Sequence, residues 1–301
     1  MFTISGFYKF KKINFLNKYK TYLENEISNT SIRGSIIISS EGINGSLGGN
    51  CKDIFKILKI IKKKFKFKEF DSSNISTSRF QPFHKAKVKV KKEVVPLGLK
   101  IRSENKRHNR YLSGKSWNKL ITKKETLVID VRKPFEYSVG SFKNAMNPNI
   151  QNFRDFPKFL SKVEKTKSVA MFCTGGIRCE KASIFLKKKG FKNVFQLKGG
   201  IINYLNKTKK KDSLWKGECF VFDNRVSLKY KLKKGTFSIC GGCRKPISIE
   251  DKKLEKYEEG VSCERCYDTL SSLQKSRFRM RQNQINLAKK AGKKHKFQKE
   301  Y

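Results

Sequence analysis

The stretch Val169–Phe172 is an unbroken apolar run, and Cys179–Lys189 places Ala182, Phe185 and Leu186 at helical spacing. Only the residues Cys173-Thr174-Gly175-Gly176-Ile177-Arg178 separate them. A buried strand that passes so abruptly into a helix belongs in a parallel sheet, because parallel neighbours need a helical crossover. The surrounding chain repeats the pattern. Thr126–Val131, Ser168–Phe172 and Val194–Leu197 read as strands, and Gly199-Gly200 precedes a helix that starts at Ile201. The fold class read here is therefore α/β.

The short connection also carries chemistry. Open α/β sheets bind ligands at the carboxyl ends of their strands. A thiol at Cys173 would face the first free N–H groups of the following helix, which stabilise an anion and raise the thiolate fraction. Thr174, Gly175, Gly176 and Ile177 form the loop, and the two glycines let its amides turn inward. Arg178 adds a fixed positive charge. Cys173 and Arg178 are the catalytic candidates. The spacing is Cys-x4-Arg, one residue shorter than the Cys-x5-Arg phosphate cradle of cysteine phosphatases. Cys179 is placed to resolve an oxidised Cys173 as a disulfide, and equally to pack as an ordinary helix thiol. Asp130 and Arg132 would shape the rim of the site. Cys51 and Cys219 read as ordinary buried thiols.

Ahead of this unit, residues 1–97 alternate strand and helix signals. Thr3–Phe10, Ile32–Ser39, a short strand up to Leu47 and Lys85–Val95 read as strands, and Asn14–Ile27 and Cys51–Phe65 as amphipathic helices. The order is that of the split βαβ, ferredoxin-like plan, an α+β domain. Glu41–Gly45 reads as a turn, and Gly42-x2-Gly45-x2-Gly48 as a hairpin. Residues 98–117 read as a linker, 118–210 as the catalytic domain, 211–270 as a further module and 271–301 as a basic tail.

That module holds Cys240-x2-Cys243 and Cys263-x2-Cys266. Two such pairs supply four thiolates for a tetrahedral ion, with structural zinc the expected occupant. Four protein ligands leave no open position, so the site reads as structural. Lys+Arg total 70 against 25 Asp+Glu, a net charge of +45. Such an excess favours a polyanionic partner, although AT-rich codon usage would enrich Lys, Asn, Ile and Phe alike. Lys52, Lys56, Lys59 and Lys63 fall in one helical stripe. Arg277, Arg279 and Arg281 interleave with Phe278 and Met280. Both groups are RNA-binding candidates, and both also read as solvated surface. Residues 275–301 contain ten Lys/Arg and one Glu and are expected to be disordered or partly helical. No run approaches the roughly 20 apolar residues of a membrane span, and residues 1–15 lack a secretory pattern, so a cytoplasmic protein without membrane contact is expected.

The Cys-x4-Arg loop resembles the active loop of rhodanese domains, whose cysteine carries a persulfide. Leu127–Arg132 with Glu136, Gly140 through Asn147-Pro148, and Leu197–Ile201 follow rhodanese order. A wider set narrows the likeness: Glu41–Gly45, Lys87–Glu93, Asn152–Phe156, Cys173–Ala182 and Phe220–Val226 together resemble the rhodanese-like tRNA uridine hydroxylases. That resemblance implies oxygen-dependent 5-hydroxylation of the wobble uridine of tRNA, with Cys173 as the active cysteine. It implies tRNA as partner and molecular oxygen as co-substrate, with an unknown reductant.

The residues themselves do not display how oxygen is activated. None of His84, His108 and His295 sits in a His-x-Asp/Glu pattern, and no Gly-x-Gly-x-x-Gly follows a strand, so no iron, flavin or haem motif is visible. Two other readings stay open: a persulfide sulfurtransferase acting on tRNA or a small acceptor, and a non-enzymatic RNA-binding protein. The oligomeric state is not legible.

Overall fold

The computed structural model describes residues 1–98, 109–161 and 163–293. The first domain contains β1 (Phe2–Phe10), α1 (Leu16–Ser28), β2 (Arg33–Ser39), β3 (Gly42–Gly49), α2 (Cys51–Lys64), β4 (Ser72–Ser78) and β5 (Ala86–Val90). Its sheet runs β4-β1-β3-β2-β5, with β5 parallel to β2 and the other pairs antiparallel. Alternate residues of a strand face opposite sides. Ile36, Ile38, Ile43 and Leu47 point to one side and meet Leu23 and Ile27 of α1 and Ile54, Ile57, Leu58 and Ile61 of α2 in one buried cluster. The other side carries Ile4, Gly6, Tyr8, Ile37, Asn44 and Ser46.

Two expectations are corrected here. The chain from Lys85 adds a fifth, parallel strand, and the strand that completes the split plan is β4, Ser-Ser-Asn-Ile-Ser-Thr-Ser. It lies at the sheet edge with side chains alternately half-buried and exposed, so no apolar pattern marks it. Gly42, Gly45 and Gly48 lie within β3, with the reversal before them at Ser40-Glu41. Gly45 is required by packing, since a Cβ there would sit 2.3 Å from the Phe7 ring.

The second domain contains β6 (Arg110–Leu112), α3 (Gly114–Ile121), β7 (Thr126–Asp130), α4 (Pro134–Tyr137), β8 (Gly140–Phe142), α5 (Phe156–Leu160), β9 (Ser168–Phe172), α6 (Ile177–Lys188), β10 (Val194–Leu197) and α7 (Gly200–Lys207). A parallel sheet, β6-β10-β9-β7, forms its centre. The expected linker thus ends early: β6 and the first half of α3 lie inside 98–117, while residues 99–108 fall outside the described residues. Trp117 explains why, for it is fully buried against Phe142 and Phe172.

The boundary at 210 also moves. β11 (Trp215–Gly217) pairs with β8, and Trp215, Cys219, Val221, Leu228 and Leu232 join the core around Trp117. β12 (Cys219–Phe220) and β13 (Ser227–Leu228) form a small hairpin. Beyond it, β14 (Ser238–Ile239) and β15 (Pro246–Ile247) belong to the cysteine module. The tail expected to be disordered or partly helical contains α8 (Ser272–Lys290), whose Ser271–Gln274 capping box satisfies two end groups. No residue of α8 is buried. Residues 294–301 lie outside the described residues.

The two large domains are joined through α6. Tyr8, Phe10 and Val94 of the first domain pack against Ile184. Beside them Lys181, with no solvent exposure, reaches Glu41 at 2.7 Å and Glu93 at 2.6 Å. Burial pushes Glu93 up, but Lys181 and the Leu97 and Gly98 N–H groups outweigh it and hold the carboxyl below its usual value. Its contribution to stability is therefore complete above the unfolded pKa of about 4.3 and is lost as pH falls through the lower folded value.

Removing one partner from a buried ion pair strands the remaining charge, at a cost of about 3–5 kcal/mol. Lys181→Ala should lose stability of that order in urea unfolding at neutral pH, and less at pH values where Glu93 is protonated. An unfolding midpoint unchanged from the parent protein would contradict this account.

Candidate active site

Cys173 directly follows β9, and α6 begins four residues later. Gly176 makes the turn in the left-handed region, at φ 100°, which glycine adopts without steric penalty. Its N–H donates to Cys173 Sγ at 3.1 Å. The loop is held from the other side by α7: the N–H groups of Ile201 and Ile202 donate to the carbonyls of Cys173 and Thr174 at 3.0 and 3.1 Å. Gly200 permits that approach, since a Cβ there would lie 2.6 Å from both carbonyl oxygens.

The thiol is tuned by its neighbours. Burial pushes Cys173 up, but a hydrogen bond from the Cys179 thiol, the Arg178 charge and backbone N–H groups at the start of α6 bring it down to about 6. Cys179 is buried and moves the other way, well above the usual thiol value, through burial and its hydrogen bond to Cys173. At neutral pH the pair is one thiolate and one thiol that donates to it.

Arg178 is oriented by a carboxylate whose role the sequence reading left unassigned. Its two terminal nitrogens donate to Glu136 at 2.9 and 2.8 Å. Burial raises Glu136, but Arg178 outweighs it and holds the group below its usual value. Glu136 lies on the one-turn helix α4, and Pro134 at the head of that helix was the available signal.

Asp130 lies beneath the site, whereas Arg132 lines the cavity that Cys173 also lines. Both are fully buried and form a two-pronged pair at 2.8 and 2.6 Å, and Arg132 also donates to the Gly140 carbonyl. They brace the end of β7. Glu180 is likewise a buried anchor: it accepts from Tyr8 at 3.0 Å, from Tyr111 at 3.0 Å and from Asn109 at 2.9 Å. Nothing in the sequence marked Tyr8 as its partner. Cys219 is buried as expected, whereas Cys51 is exposed.

A cavity of about 1020 Å³ opens above Cys173. Its floor is the helix-free side of the first domain's sheet, with Gly6, Asn44, Ser46 and Asn74 on the surface. Its walls include Arg154, Ile202, Phe222 and Arg225. The segment around Phe222 is tied to the first domain, since Arg225 donates to Ser76 at 2.8 Å. The volume lies at the upper end of small-molecule sites and accommodates a nucleoside.

The RNA-binding candidates are not brought to this cavity. Lys52, Lys56, Lys59 and Lys63 are exposed on α2, on the opposite side of the sheet. Arg279 is committed to Glu258 through two bonds of 2.7 Å. Arg281 donates to the carbonyls of Gly241 and Gly260 at 3.0 and 2.8 Å. These two arginines seat α8 on the cysteine module, and of the three only Arg277 is exposed without such a role among the described residues.

In that module the four sulfurs of Cys240, Cys243, Cys263 and Cys266 lie within 4.8 Å of one another. Three of the Sγ separations are 3.8 Å. The cluster is able to hold a metal ion. No helix among the described residues is long and apolar enough to cross a membrane.

Comparison with known proteins gives a consistent picture. A model of the UPF0176 acylphosphatase like domain matches residues 2–94, and a model of the rhodanese-like domain matches residues 114–207. The protein "tRNA uridine(34) hydroxylase" of Pelagibacter ubique (strain HTCC1062) is 62% identical over 301 residues, covering 100% of both chains. Among solved structures, a rhodanese-related protein from Thermoplasma volcanium is 28% identical, covering 32% of this chain and 90% of its own, with a TM-score of 0.28. A polysulfide-sulfur transferase homodimer from Wolinella succinogenes is 25% identical, covering 36% and 84%, with a TM-score of 0.30.

The thiolate absorbance that is lost on Cys173→Ser should titrate with a midpoint near 6, against about 8.5 for a free cysteine. Cys179→Ala removes a donor to the thiolate and should move that midpoint upward. A midpoint that does not respond to Cys179→Ala would show that the neighbouring thiol does not tune the site.

Proposed function

The chain belongs to the tRNA uridine(34) hydroxylase family, and on that premise we propose that it converts the wobble uridine of tRNA to 5-hydroxyuridine, with Cys173 as the nucleophile. The observation that carries this reading is a thiolate, tuned to about 6, at the base of a nucleoside-sized cavity. A thiolate there is suited to add to C6 of a uracil ring.

Addition forms a C6–S bond and leaves the electron pair at C5, delocalised onto the adjacent carbonyl as an enolate. The positive end of α6 and the loop amides favour that negative charge. C5 then passes two electrons to molecular oxygen and forms a C5–O bond, giving a hydroperoxide after protonation. An external two-electron reductant and two protons cleave its O–O bond, leaving a C5 hydroxyl and one water. Loss of the C5 proton expels the Cys173 thiolate and restores the ring double bond. The sum is uridine, oxygen, two electrons and two protons giving 5-hydroxyuridine and water. Arg178, held by Glu136, keeps positive charge beside the thiolate before attack and when it leaves.

Tetrahedral zinc with Zn–S bonds of about 2.3 Å requires sulfurs about 3.8 Å apart, which matches the observed separations. In this reading zinc fills the cluster and is structural, holding the module that seats α8. The lysine stripe of α2 would meet tRNA away from the wobble base and add sequence-independent, salt-sensitive affinity.

Four measurements test the proposal. Nucleoside mass spectrometry of tRNA from cells lacking the protein should show loss of a uridine bearing one extra oxygen. Wild type should restore it and Cys173→Ala should not. Loss of a thiolated nucleoside instead would favour the sulfurtransferase, and no change would favour an RNA-binding role. In vitro, Cys173→Ser should lower the rate by at least about a thousandfold, and tRNA carrying 5-fluorouridine should trap a covalent adduct on wild type. Full activity in Cys173→Ser would exclude the mechanism. Finally, a strong chelator should strip one zinc per chain and lower the helical circular dichroism, leaving the Cys173 titration in place.

A further inference from the structure

Asn44 breaks a local rule. It lies in β3, the middle strand of five, where asparagine is disfavoured. Its neighbours Ile43 and Leu47 are buried in the helix-side core. Asn44 points the other way, is half-buried, and lines the cavity that holds Cys173. Its side-chain amide makes no hydrogen bond among the described residues. An open polar group at a position that tolerates it poorly is the mark of a functional site rather than a structural one.

Its place relative to the nucleophile is fixed by register. Asn44 pairs directly with Tyr8 on β1 and with Ile37 on β2, so the three side chains stand in one row on the cavity side. Tyr8 spans from that row to the active loop. Its hydroxyl donates to Glu180 on α6 and lies 2.9 Å from where a Cβ on Gly176 would be. Next to Asn44, the floor is open at Gly6, where an added Cβ would meet nothing within 4 Å. A flat ring can therefore lie over Gly6 with one edge toward Asn44, in the cavity that Cys173 also lines.

The other amide on this floor is less available. Asn74 donates to Ser72 Oγ at 3.4 Å and to the Gly199 carbonyl at 3.5 Å. An asparagine amide offers one acceptor beside one donor, the complement of an N3–H beside a carbonyl on the imide edge of uracil. A lysine or arginine offers donors only and cannot supply that pair.

We propose that Asn44 is the residue that reads the uracil base, accepting from N3–H and donating to an adjacent ring carbonyl while Cys173 addresses C6. This rests on the hydroxylase reading above and assigns the part of the site that selects the base. Asn44 is a positioning and specificity residue, and it takes no part in bond making.

The test compares full-length tRNA carrying uridine or N3-methyluridine at the wobble position, since the methyl group removes the N3–H donor. Wild type should prefer uridine by about ten- to a hundred-fold in kcat/KM, the range of a paired hydrogen-bond readout. Asn44→Ala should lose most activity on uridine and bring that preference close to one. Asn44→Asp keeps the shape but turns a carboxylate toward a carbonyl, and should be impaired on uridine as well. A Cys173 titration midpoint still near 6 in both variants establishes that the site is intact. A wild-type preference that persists unchanged in both variants overturns the assignment and leaves hydroxylation standing. Failure of wild type to hydroxylate the uridine tRNA overturns the functional reading and the assignment with it.

Discussion

Lys181 is a lysine without water. It lies between Glu41 and Glu93, two carboxylates of the neighbouring domain, at 2.7 and 2.6 Å. Burying an ammonium is costly unless its partners are close and well placed. The arrangement therefore tolerates one docking geometry and penalises others. Glu180, the residue before it, reaches Tyr8 of the same domain. Both anchors sit in the first turns of α6, directly after the loop that carries Cys173. The position of the first domain and the shape of the active loop are thereby set by the same helix. The cavity exists because the two are fixed together: one domain supplies the thiolate and the other the surface facing it.

The electrostatics around Cys173 are arranged so that charge is matched locally. Arg178 does not stand alone beside the sulfur, since Glu136 takes both of its terminal nitrogens. The cysteine is lowered in part by a neutral donor, the Cys179 thiol, together with amides at a helix start. A site built on dipoles and a compensated arginine avoids a large uncompensated positive charge in a protein already strongly basic.

The chain announces some of this openly. Val169–Phe172 is wholly apolar and Val194–Leu197 largely so, each is followed within three residues by glycine, and both fall where strands are found. The four cysteines of the C-terminal module are legible because metal geometry fixes their spacing. Other elements hide for physical reasons. β4 is polar because it lies at a sheet edge and faces a cavity. The pairing of Lys181 with Glu41 and Glu93 joins residues far apart in sequence, and no periodicity reports a long-range ion pair. Arg279 and Arg281 look like free charges in sequence and are occupied in space. Asn44 sits in a glycine-rich stretch that reads as a turn, because its glycines serve close packing in a strand instead.

The segment after α7 has a consequence for synthesis. Trp215, Leu228 and Leu232 complete the core around Trp117, and β11 closes against β8. A chain emerging from the ribosome folds from its amino terminus, domain by domain. The first domain can close early, on contacts entirely its own. The catalytic domain cannot: when Arg178 has emerged, the residues that seal the core behind it are still to be added. Until Leu232 is available, that core exposes apolar surface. The order of translation thus presents a finished sheet, with Glu41 and Glu93 already in place, before the helix that will insert Lys181 between them has a core to rest on.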